Sequence, residues 1–178
     1  VGAIGGSAAF GALMITLISS SRRNRWMAFM NLDETKGSFG YQVWQSILSI
    51  SNGGVSGVGI GAGTGKWGYV PLAHSDFIFS TIAEEFGSIG VVAVIGGFLL
   101  LVLLGFRVAM GAQEKFGALL ASGVTMWFAV QAIINIGGVS GSMPVTGLTL
   151  PLISYGGSSL FVCMSAAGLL MNVARNMK

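Results

Sequence analysis

The residues best equipped for chemistry lie close together. The stretch Lys66-Trp67-Gly68-Tyr69-Val70-Pro71-Leu72-Ala73-His74-Ser75-Asp76-Phe77-Ile78-Phe79, with Glu84-Glu85 just after it, holds three of the six acidic residues and the only histidine of a 178-residue chain. A carboxylate among cations suits proton abstraction from a hydroxyl next to an anionic leaving group. Pro71 disfavours helix at Val70, and the run from Phe77 onward is apolar, which places a helix start near Ser75 or Asp76. Spacing alone leaves two roles open for Asp76: a helix cap complementing the dipole, or a catalytic or ligand-binding carboxylate.

Composition sets the surroundings of this stretch. Hydrophobic residues make up 53% of the chain and charged residues 8%, against about 25% charged in soluble domains. The expected class is an all-α, polytopic integral membrane protein. Cys163, the one cysteine, lies in an apolar run, so there is no disulfide framework and no cysteine-spaced metal site. It reads as a small buried hydrophobe. The chain opens inside an apolar segment with no basic region ahead of it, so it does not read as a cleavable signal peptide and is expected to be part of a longer protein.

Four transmembrane spans are expected, at 1–21, 88–106, 116–136 and 150–173, forming a single membrane domain over 1–178. Between the first two lies a long loop, 22–78, opened by Arg22, Arg23 and Arg25 and too polar and glycine-rich to cross a bilayer. Within it, 41–50 places Val43, Trp44, Ile47 and Leu48 on one helical face and Gln42, Gln45 and Ser49 on another, as in a short helix lying at the interface. The glycine run from Gly53 to Gly65 ends at Lys66, but it is no phosphate-binding loop: Ile60 stands where the first glycine is needed and Trp67 where the hydroxyl is needed. Gly57-x-Gly59-x-x-Ala62 fits the looser dinucleotide pattern without the βαβ unit that gives it meaning. The glycines instead suit tight bends or close approach to a ligand or headgroup. Gln131 and Asn135, four apart in the third span, serve either a helix-to-helix hydrogen bond or a polar substrate groove. Arg107, Lys115, Arg175 and Lys178 fall on one side by helix parity, which the positive-inside rule makes cytoplasmic and which puts the long loop outside. The cations of that loop run against the rule and invite an anionic partner on the outer side.

Three separated motifs occur in one order: Arg22-Arg23-Asn24-Arg25; the stretch from Lys66 to Phe79 with Glu84-Glu85; and Pro144-Val145-Thr146-Gly147 followed by Leu150-Pro151-Leu152-Ile153-Ser154-Tyr155-Gly156-Gly157-Ser158-Ser159. Together they resemble the SEDS family (FtsW, RodA, SpoVE), which polymerises lipid II into peptidoglycan glycan strands. The Lys-Trp-Gly-Tyr form is nearer the FtsW and SpoVE branch. The resemblance runs almost end to end, over the family's C-terminal part. Leu72 stands where members commonly carry Glu, Ser75 where they carry Thr, and Thr146 where some carry Lys.

The resemblance implies a glycosyltransferase of the bacterial cytoplasmic membrane, with its active site facing outward. Asp76 would be the general base, taking the proton of the acceptor sugar's 4-hydroxyl as it attacks the anomeric carbon of the lipid-linked donor. The reaction inverts that carbon and releases undecaprenyl pyrophosphate. Arg23, Arg25 and Lys66 are candidates for binding the pyrophosphate, or else anchors to lipid headgroups. His74, Gln42, Gln45, Glu85, Ser154 and Ser158 complete the expected substrate-binding set. On a helix continuous from Asp76, Glu84 lies roughly 12 Å further along, too far for a carboxylate pair. Arg23 or Arg25 is the expected partner of the two glutamates. No ligand cluster defines a metal site, although a divalent cation (Mg2+ or Mn2+) would suit the pyrophosphate. The implied partners are a class B penicillin-binding protein and other division or elongation proteins, with no nucleic acid. Two competing readings are a lipid II flippase, with its essential polar groups near the bilayer midplane, and a non-catalytic scaffold for a transpeptidase, indifferent to Asp76.

Overall fold

A computed structural model describes residues 20–38, 40–63 and 75–177. Among them the chain forms six helices and no strand: α1 (Ser20–Met30), α2 (Leu32–Thr35), α3 (Tyr41–Gly53), α4 (Ile78–Gly111), α5 (Lys115–Val139) and α6 (Gly157–Arg175). The all-helical membrane class is as expected, since α4, α5 and α6 are each long and apolar enough to cross a bilayer. The span expected at 1–21 lies almost wholly outside the described residues, as do Lys66 and His74.

The three long helices pack side by side, α4 against α5 most extensively and α6 against both. One core cluster joins Phe77 and Phe79 to Ala132, Val139 and Leu150. A second joins Phe128 of α5 to Cys163 and Ala166 of α6, so Cys163 is the buried small hydrophobe its surroundings suggested. Large apolar side chains such as Ile89, Leu99, Leu103, Leu119, Phe161 and Met164 are exposed. Lipid tails are as apolar as these residues, so nothing drives them inward.

Several boundaries differ from the sequence reading. Helical backbone continues through the arginines as α1, because arginine ends a membrane span by its charge but is a good helix former. The span expected at 88–106 belongs to a longer helix, α4, broken at Gly87 (φ 65°, ψ −154°). That break releases the carbonyl of Glu84 and the N–H of Ser88, which a regular helix would pair. The glycine loop supplies replacements: Val58 N donates to Glu84 O at 2.9 Å, Gly59 N to Glu85 O at 3.2 Å, and Ser88 N to Gly54 O at 3.0 Å. Gly57 and Gly59 thus approach the chain's own backbone. Gly57 has φ 79°, and a side chain there would collide with the Glu85 carbonyl.

The last span also starts later than expected, at Gly157 rather than near 150. Pro151 and a turn with Leu152 at φ 64° keep 144–156 non-helical. Finally, α3 buries Ser46, Ser49 and Gly53 rather than its apolar face, while Leu48 is exposed. Small residues allow backbones to come close: a Cβ on Gly53 would run into the Ala83 carbonyl of α4. The Ser46 hydroxyl donates to Val139 O of α5 at 2.8 Å.

Candidate functional site

Three of the sequence motifs meet in one place. A cleft of about 700 Å³ is lined by Asn24 and Arg25 of α1, Tyr41 and Gln42 of α3, Asp76 and Phe77 ahead of α4, and Met143, Pro144, Val145 and Gly147 of the segment after α5. Among the described residues Asp76 is the one carboxylate and Arg25 the one cation lining it.

Asp76 occupies the turn 75–77 immediately before α4, outside the membrane-spanning helices. The cap position belongs to Phe77, with no side-chain cap hydrogen bond. The Ser80 N–H, three residues into the helix, pairs with Phe77 O. The carboxylate is therefore free of the helix-capping role that spacing left open for it. Burial in the cleft wall raises its pKa above the ordinary 3.8, opposed by a hydrogen bond from the Ser75 side chain and by the nearby Arg25 guanidinium.

The wall opposite comes from 143–149. Arg25 Nη1 donates to Val145 O at 3.3 Å, which ties α1 to the Pro144-Val145-Thr146-Gly147 motif. Gly147 (φ 74°) sits between cation and carboxylate: a Cβ there would stand 3.6 Å from both Arg25 Nη1 and Asp76 Oδ2. Glycine at this point leaves the space between carboxylate and guanidinium open.

Below the cleft, α5 holds both of its walls. Asn135 Nδ2 donates to Asp76 O at 2.8 Å and to Leu148 O at 2.6 Å. One turn earlier, Gln131 Nε2 donates to Thr149 O at 2.9 Å. The two amides thus secure non-helical backbone rather than pairing helix with helix. Ser154 is buried, accepting from Leu150 N at 2.7 Å and donating to Ser75 O at 2.6 Å.

The remaining candidates are dispersed. Gln42 borders the cleft, whereas Gln45 does not. Arg23 is exposed two residues from Arg25, which is about 200° around the helix, and Asn24 takes the lining position. Arg25 faces Val145 and Asp76 instead of the glutamates. Glu84 is buried with its carboxylate beside Gly63, and Glu85 lies along the glycine loop. Ser158 is exposed in the first turn of α6, while its neighbour Ser159 bonds Thr149 at 2.7 Å. Tyr41 and Asn24 were missed as lining residues. Helical spacing from Arg25 and Gln42 hinted at their faces but not at a shared cleft.

Comparison with known proteins agrees with this geometry. The family model for FtsW, RodA and SpoVE, described as a cell cycle protein, matches residues 1–178. A probable peptidoglycan glycosyltransferase FtsW of Geobacter metallireducens is 48% identical over 157 residues, which is 88% of this chain and 42% of that protein. The Bacillus subtilis protein of the same name is 42% identical over 162 residues, 91% of this chain and 40% of its own length. This chain therefore spans about four-tenths of the curated relatives it matches. Among solved structures, one described as showing structural coordination of polymerization and crosslinking by a peptidoglycan synthase complex aligns with a TM-score of 0.72 at 31% identity, covering 97% of this chain and 48% of that one. A mutant of the rod shape determining protein RodA from Thermus thermophilus aligns at 0.57 with 38% identity, covering 74% of this chain and 40% of that one. Motifs, fold and likeness to relatives converge, and the chain belongs to the FtsW, RodA and SpoVE family of cell cycle proteins.

Proposed function

We propose that this chain forms the catalytic portion of a peptidoglycan glycosyltransferase that polymerises lipid II, with Asp76 as general base. The observation that carries the reading is the single cleft in which Asp76 faces Arg25 across Gly147. An acceptor 4-hydroxyl seated there gives its proton to Asp76 while its oxygen attacks the donor's anomeric carbon. The bond from that carbon to the pyrophosphate oxygen breaks, and undecaprenyl pyrophosphate leaves with the bonding pair. Arg25 stabilises the charge that gathers on the phosphates, with Arg23 and Lys66 as further candidate cations. A base of raised pKa is the stronger proton acceptor once ionised. Mg2+ or Mn2+ would be carried by the substrate's phosphates, because among the described residues no group of three His, Cys, Asp or Glu converges.

The names of the relatives support a role in cell division, and the likeness to a peptidoglycan synthase complex supports a class B penicillin-binding protein as partner. The cleft opens on the outer face of the bacterial cytoplasmic membrane, where lipid II presents its sugars. The flippase reading needs uncommitted polar groups at the midplane, whereas Gln131 and Asn135 are bonded to backbone carbonyls.

The test is glycan polymerisation from purified lipid II by the full-length protein with its transpeptidase partner. Asp76→Asn is expected to fold and bind the partner but to polymerise about 100- to 10,000-fold more slowly. Polymerisation at the native rate would remove Asp76 from the mechanism and favour the scaffold reading.

A further inference from the structure

We infer that Asn135 is a positioning residue for the reaction: it sets the place of Asp76 in the cleft and ties the base to the opposite wall. The inference rests on the reading of Asp76 as general base. Asn135 is buried near the C-terminal end of α5, and both N–H bonds of its amide are used, one on the carbonyl of Asp76 itself and one on the carbonyl of Leu148, beside Gly147. One planar amide therefore fixes the distance between the residue carrying the base and the segment that Arg25 grips at Val145. Both partners are carbonyls, so the amide has one orientation that satisfies them; its reverse would oppose oxygen to oxygen.

That orientation commits Oδ1 as an acceptor, and it has no hydrogen-bond partner among the described residues. A residue chosen only to fasten two carbonyls has no need of such an atom, and buried acceptors are seldom left unpaired. Asn135 and Asp76 both border a void of about 10 Å³ with Thr146, Gly147 and Leu148, room for roughly one water. A water in that void, which shares Asp76, Val145 and Gly147 with the cleft, would supply the donor that Oδ1 lacks.

Gln131 provides the internal comparison. It stands one turn away and fastens the next carbonyl, Thr149 O, but touches nothing of Asp76. If the two amides merely staple the segment to α5, their loss has matching consequences. If Asn135 positions the base, only its loss reaches the chemistry.

The experiment uses the full-length protein with its transpeptidase partner and purified lipid II, measuring kcat, KM and the pH profile. Asn135→Ser is the first variant, because a helical serine can bond the carbonyl four residues back, as Thr125 does to Ala121 at 2.7 Å and Ser165 to Phe161 at 2.8 Å. It is expected to lower kcat about 10- to 100-fold with little change in KM, whereas Gln131→Ala stays within roughly threefold of native kcat. Asn135→Asp is the second variant: a carboxyl beside Asp76 moves the acid limb of the profile to higher pH. The charged and titratable groups that share the cleft with Asp76 among the described residues are Arg25 and Tyr41. They are the same in every variant.

Equal effects of Asn135→Ser and Gln131→Ala on kcat would overturn the inference. So would an unmoved acid limb in Asn135→Asp, which decides the matter if the serine variant does not fold. Full activity of Asp76→Asn would instead overturn the underlying assignment of the base, so the two failures are distinguishable.

Discussion

At the residue scale the site turns on how one carboxylate is held. Burial raises the pKa of Asp76, while the Ser75 hydroxyl and Arg25 pull it down. Arg25→Gln removes one of the lowering influences, so the acid limb of kcat/KM should move to higher pH; a limb that stays in place would deny the electrostatic contact. The same shift makes a stability statement. An Asp whose folded pKa is raised binds its proton more tightly in the folded state, so its favourable contribution is complete below the ordinary 3.8 and is lost as pH rises through the folded value. At neutral pH the ionised group costs stability, and Asp76→Asn should unfold in detergent at the same temperature as native protein or higher. That advantage should disappear in acid. A marked loss of stability at pH 7 would mean that the ionised carboxylate has a structural partner the site does not require.

At the element scale, small residues decide where helices meet. The seam between α3 and α4 is set by Gly53 against the Ala83 carbonyl, and the break in α4 is sealed by the glycine loop. Gly53→Ala should destabilise the protein by about 1–3 kcal/mol, since the added methyl must force the backbones apart. Gly96→Ala, on the face of α4 where no atom lies within 4 Å of the new Cβ, should fall within about 1 kcal/mol of native on the stabilising side. Thermal unfolding of the two variants in the same detergent separates these outcomes. Equal effects would mean that the seam yields easily. Because α3 carries Tyr41 and Gln42 into the cleft, the same collision should also weaken polymerisation.

At the scale of the whole molecule, the turn between α4 and α5 and the cleft lie at opposite ends of the helices. Arg107, Lys115 and Arg175 gather near the turn between α4 and α5, where Gln113 and Glu114 lie beside Arg175. Arg25, Asp76 and the segment after α5 form the other end. The positive-inside rule predicts that the first end is cytoplasmic. In spheroplasts, a membrane-impermeant maleimide should label full-length protein carrying Ser142→Cys without lysis, and Gln113→Cys only after lysis. Cys163 is buried and adds little background. The reverse pattern would place the cleft in the cytoplasm and end the reading of an outward-facing polymerase.

The amino-acid sequence by itself determined the membrane class, the apolar core of each described span, and the motifs that hold Arg25, Asp76 and the Pro144 segment. These are consequences of local composition: a long uncharged run has to be a spanning helix, and a carboxylate at a membrane boundary stands out against it. Tertiary structure decided what those residues do to one another. Hydrophobic periodicity marked the apolar face of α3 but not the face of small residues that packs, because the close approach of Ser46, Ser49 and Gly53 depends on backbone that arrives from α4 and α5. The break in α4 was hidden for a similar reason, since the groups freed at Gly87 are satisfied by a loop some thirty residues away in sequence. Gln131 and Asn135 were visible as polar groups in an apolar span, but their partners are main-chain carbonyls, which carry no side-chain signature. Only folding brings the carbonyl of Asp76 within reach of Asn135, and with it the amide that joins Asp76 to the wall it faces.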